Sequence, residues 1–126
     1  MSEISRRRLK AAAVAFSVLT AFTQPTGAET RTLRRAVYDY AVTSYCGLLS
    51  PEVEQGFQRE LAELTAGSGL GEEEAKAQRI AGWVDADREW SNRGLGGFRA
   101  WCGSDGAAAA QHFLAIQRGA VNSQKP

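Results

Sequence analysis

Along the chain the apolar positions fall into one continuous run followed by several helical stripes. Residues Ala11 to Phe22 are twelve positions without a charge, apolar on every side. From Thr32 to Leu49, Leu33, Val37, Tyr40, Ala41, Cys46 and Leu48 recur at helical rather than alternating spacing, which predicts a first helix. Ser50-Pro51-Glu52 then reads as a restart, with Ser50 as N-cap, proline where its missing N–H costs nothing, and acids at the positive helix end. The second helix places Val53, Phe57, Leu61 and Leu64 on one stripe opposite Gln55, Arg59 and Glu63, and stops at Gly67-Ser68-Gly69.

A third helix opens on Glu72, Glu73 and Glu74. Its apolar side is predicted to carry Ile80, Trp83, Val84 and Trp90, with Arg79, Asp85 and Arg88 turned to water and Asn92-Arg93-Gly94 as its end. The glycines at 94, 96 and 97 around Leu95 predict a shaped turn with a residue at positive φ. Phe98 to Cys102 is then one helical turn delivering Phe98, Trp101 and Cys102 to the core. A last helix, starting near Ser104 or Asp105, carries Ala109, Phe113 and Ile116 and ends at Gly119, followed by a frayed tail. No segment alternates long enough to predict a strand, and no repeat is present. The fold class expected is all-α, a small four-helix bundle-like domain.

The apolar run near the start belongs to a different object. Arg6, Arg7, Arg8 and Lys10 precede it, Lys10 and Gln24 bracket it well short of a membrane span, and small residues at Thr26 and Ala28 mark a cleavage site. Residues 1–28 are therefore expected to be a cleaved signal peptide, leaving 29–126 as a single helical domain in the periplasm, or secreted from a cell with one membrane. Ser5-Arg6-Arg7-Arg8-Leu9-Lys10 resembles a partial twin-arginine export signal, with the usual apolar pair reduced to Leu9; a Sec signal is equally an expectation.

Cleavage changes the charge arithmetic. The whole chain carries 15 Lys and Arg against 14 Asp and Glu; residues 29–126 keep 11 and 13, so a formal +1 becomes −2. A chain of that balance offers no strongly basic face of the kind nucleic acid requires, and no nucleic-acid partner is expected. Arg31, Arg34 and Arg35 read as a solvated helix start. Cys46 and Cys102 are the only cysteines, and in an oxidising compartment they are expected to pair.

Candidate chemistry is sparse. His112 is the only histidine and the only methionine is Met1, so a His/Met haem site has no material and no cofactor is expected. Asp85, Asp87 and Glu89 begin like a calcium loop, but Trp90 and Gly96 stand where glycine and an acid are needed. Asp85 and Glu89, one turn apart, are a conceivable acid–base pair of the kind any acidic helix contains. No Gly-x-Ser-x-Gly elbow accompanies His112, which reads as a packing residue.

The densest cluster is 90–102, where Trp90, Arg93, Phe98, Arg99 and Trp101 flank the glycines; these types dominate binding hot spots and equally build small cores. The expectation is a non-catalytic accessory or protein-binding subunit whose partner is another exported protein. Two readings of other kinds stand beside it, a periplasmic inhibitor or immunity protein and a small-molecule-binding helical domain.

Overall fold

The computed structural model describes residues 30–119, and the expected signal peptide lies outside them. Among the described residues there are helices and no strand: α1 (Leu33–Tyr45), α2 (Pro51–Gly67), α3 (Glu72–Asn92), α4 (Gly94–Trp101), a π-helical turn (Cys102–Gly106) and α5 (Ala107–Gln117). The π turn joins α4 to α5 without a break, so the chain from 94 to 117 is helical throughout.

Local chemistry accounts for the ends. Thr32 caps α1 by accepting from the Arg35 N–H (3.1 Å), and Ser50 caps α2 by accepting from the Val53 N–H (3.1 Å) with Pro51 in the first turn. Helix α3 begins at Gly71 without a side-chain cap, and its opening triplet of glutamates complements the helix dipole instead. Helix α1 is shorter than its apolar pattern suggests: Gly47 takes positive φ (67°) just past the Cys46 C-cap, and Leu48 is left 37% exposed rather than packed.

The architecture is organised around α1. Helix α3 packs almost wholly on one side of it, and α2 and α5 pack on each other and on its remaining faces. Three apolar clusters result, each containing α1 residues: Val37 with Val53, Phe57, Ala110 and Phe113; Leu33 and Ala36 with Leu64 and Ala75; and Ala41 and Val42 with Ala86 and Trp101. The predicted stripes of α2 and α5 face inward, except that Leu61 is only half-buried.

Two glycines set the helix separations. A Cβ on Gly56 would sit 1.9 Å from the Phe113 carbonyl oxygen, so α2 and α5 touch backbone to backbone. A Cβ on Gly82 would sit 2.5 Å from the Arg34 carbonyl oxygen and 2.8 Å from Val37 Cβ. That second contact overturns the predicted orientation of α3. Its inward face is Ala75, Gly82 and Ala86, whereas Ile80, Trp83 and Val84 are 53%, 41% and 47% exposed. Close approach to α1 admits only small side chains there, so the large ones face outward.

The 94–97 segment also differs from expectation. Gly96 does take positive φ (92°), but the glycines lie inside α4 rather than in a turn. Trp101 reaches the core at 2% exposure, while Phe98 remains 37% exposed instead of joining it. Cys46 and Cys102 form a disulfide with Cα atoms 5.4 Å apart, tying the end of α1 to the start of the π turn. Gly106 lies against it, its absent Cβ 2.9 Å from Cys46 Sγ.

Candidate functional site

Three constellations of polar and aromatic side chains link the helices. The first is an ionic network between the start of α1, α2 and α5. Glu60 falls on the apolar face of α2, three residues after Phe57 and four before Leu64, and is completely buried. Its Oε1 accepts from Arg31 Nε (3.0 Å) and Nη2 (2.9 Å), and its Oε2 lies 2.6 Å from His112 Nε2. An ionised Glu60 requires the proton on that nitrogen. Arg31 Nη1 donates to Asp39 Oδ2, and Arg35 approaches the other Asp39 oxygen (3.2 Å).

Burial works against the charge on Arg31, but Asp39 and Glu60 outweigh it and hold the guanidinium above its ordinary range. Arg34 and Arg35 are exposed, as a solvated helix start implies, whereas Arg31 is largely withdrawn from water; each of the three is ion-paired to a carboxylate. The carboxylate–imidazole pair fixes the ring of His112 as in acid–base sites, yet among the described residues no hydroxyl or thiol is hydrogen-bonded to it. The network joins three helices and gives a buried acid its partners.

A second constellation lies between α1 and α3, an open groove of about 370 Å³ lined by Thr32, Arg34, Arg35, Tyr38, Asp85, Arg88 and Glu89. Asp85 is not turned freely to water: it accepts from Arg34 Nε (2.6 Å) and Nη2 (2.8 Å). Those hydrogen bonds hold its carboxyl below the usual carboxylate range, against a smaller opposing effect of desolvation. Glu89 is bound instead by Arg93 Nη2 (2.9 Å), and Asp87 accepts from the Tyr45 hydroxyl (3.1 Å). The Asp85 and Glu89 carboxylates thus each face a guanidinium, and the Asp85 carboxyl, kept ionised in this way, is a poor general acid.

The third constellation is the aromatic cluster at the disulfide end, which the structure divides. Trp101 is a core residue against Ala41, Val42 and Ala86; its indole N–H approaches the Tyr38 hydroxyl without reaching good hydrogen-bonding geometry. Trp90 is half-buried, stacked on Tyr45 with centroids 5.2 Å apart and tilted against Phe98 at 5.6 Å. The Arg93 guanidinium lies 4.9 Å from the centre of the Trp101 ring. Phe98 and Arg99 point outward, and every residue from 96 to 100 is exposed.

Of the five residues that sequence singled out, Trp90, Arg93, Phe98 and Trp101 are drawn into one contact chain, and Arg99 stands at its margin. The Arg31–Asp39–Glu60–His112 network was not anticipated. Its signal was a glutamate within the apolar stripe of α2, where an acid survives only with partners.

Comparison of the chain with protein-family models, with curated protein sequences and with solved structures returned no match. No described helix is long and apolar enough to cross a membrane.

Proposed function

We propose that this chain is the precursor of an exported helical domain that works by binding another exported protein, as a non-catalytic accessory subunit of a periplasmic complex. The observation that carries the reading is the exposure of residues 96–100 on a short helix anchored at its C-terminal end. Trp101 pins its C-terminal end into the core, the disulfide clamps the residue that follows, and Phe98 (37% exposed) projects beside Arg99. An aromatic and an arginine held on a rigid element lose little freedom on binding, which is the condition under which such residues dominate affinity. Residues 1–28 supply the export signal, and an oxidising compartment suits the disulfide.

The test is affinity capture of the C-terminally tagged protein, expressed at native level in its own host, with intact-mass analysis of what elutes. The expected mature chain begins near Glu29, is lighter than the dithiol by two hydrogens, and brings down a stoichiometric partner. Phe98→Ala and Arg99→Ala should reduce the recovered partner severalfold while the melting temperature stays within about 2 °C of wild type. A mature protein that elutes alone, or a partner whose recovery ignores both substitutions, refutes the reading.

A further inference from the structure

The outer face of α3 carries an ordered pattern that the domain itself does not use. Glu73, Ala77, Ile80, Val84, Asp87 and Ser91 follow one another at alternating spacings of four and three, the repeat of a helix seam that packs on another helix. All six are exposed, with Ile80 and Val84 at its middle the most apolar and Trp83 alongside. The opposite face, through Ala75, Gly82 and Ala86, already lies on α1, so apart from the Tyr45–Asp87 hydrogen bond no contact described within the domain covers this second seam.

Charge selects the occupant. If a second copy of α3 lies antiparallel with its centre opposite residue 82, Ile80 meets Val84 of the second copy, Ala77 meets Asp87 and Glu73 meets Ser91. The flanking Glu74 then faces Arg88 of the second copy, and two-fold symmetry makes that ion pair twice. A parallel arrangement in the same seam sets Asp87 against Asp87 and Glu73 against Glu73 and leaves Glu74 and Arg88 apart. Antiparallel helices also place each acidic N-terminal turn beside the other's C-terminal half, where Arg88 lies.

We infer that α3 is a self-association face, through which two copies of the protein pair antiparallel about Ile80 and Val84 with Glu74–Arg88 ion pairs on either side. A single helix pair buries less than the roughly 1,000 Å² expected of a tight complex, so the dimer is reversible. The inference uses a face distinct from α4 and does not depend on the binding partner proposed above.

Sedimentation equilibrium of the exported protein, from micromolar to submillimolar concentration, reads the association directly. Wild type should pass from monomer to dimer over that range, and Ile80→Glu should remain monomeric with its helix content intact. Glu74→Lys and Arg88→Glu should each weaken the dimer by roughly tenfold, and the double variant, which restores the pair in reversed sign, should recover most of that loss. A wild type that stays monomeric at submillimolar concentration overturns the inference. So does a dimer indifferent to Ile80→Glu, or a double variant no better than its single parents.

Discussion

Gly56 and Gly103 are both helical glycines, yet their positions make opposite demands. The missing Cβ of Gly56 lies within 1.9 Å of a backbone oxygen that cannot move without separating α2 from α5, whereas Gly103 has nothing within 4 Å and a negative φ. Gly56→Ala is expected to cost more than about 3 kcal/mol, because the overlap is with main chain rather than with the flexible end of a side chain. Gly103→Ala should be neutral or gain up to about 1 kcal/mol by restricting the unfolded chain. Thermal melts of the two variants check the contrast, and similar melting temperatures would show that the α2–α5 crossing is not the close contact described. Neither role is visible in sequence, where Gly56 lies within a predicted helix and Gly103 between two predicted helical segments. Glu60 was more legible, since an acid within an apolar stripe declares a buried partner; which residues supply it was not, because Arg31 and His112 lie 29 and 52 positions away.

At the scale of elements, α1 is the helix that every apolar cluster shares, and all three tyrosines of the protein lie on it. Desolvation is the first cause that raises Tyr38, Tyr40 and Tyr45 above the ordinary phenol value of 10.0, with nearby carboxylates adding to it in each case. The folded state therefore holds these protons when the unfolded state has begun to release them. Stability is fully present below the unfolded value and falls as pH rises through and beyond 10.0. An absorbance titration of phenolate should show tyrosine midpoints above 10.0 in the folded protein and a return to the ordinary midpoint in denaturant. A folded-state midpoint at the ordinary value would mean that α1 is less enclosed than its position implies. Helix positions themselves were readable from periodicity and caps, with α2 and α3 starting where Ser50 and the glutamate triplet put them. The facing of α3 was not, because hydrophobicity ranks Ile, Trp and Val above Ala and Gly, while helix contact distance ranks them the other way.

For the whole molecule, the disulfide closes a long covalent loop. Its cysteines are 56 positions apart, which the chain-entropy argument values at about 4 kcal/mol. In a domain with only 15 buried hydrophobic residues among those described, that is a large share of the total stability. Reduction, or a paired Cys46→Ala and Cys102→Ala replacement, is expected to lower the melting temperature by roughly 20 °C while leaving the fold all-α. A change below about 5 °C would show that the helix contacts alone carry the domain.

The sequence by itself determined what depends on near neighbours along the chain: the helical class, the cap at Ser50, and the acidic start of α3. It also determined the pairing of its two cysteines, since no other thiol competes. Tertiary structure decided which face of α3 meets α1, which acids hold the arginines at 31, 34 and 35, and how the 90–102 cluster divides between core and surface. Those outcomes depend on distances between backbones that two glycines set, and one helix's hydrophobic pattern contains no measure of how close its neighbour will come.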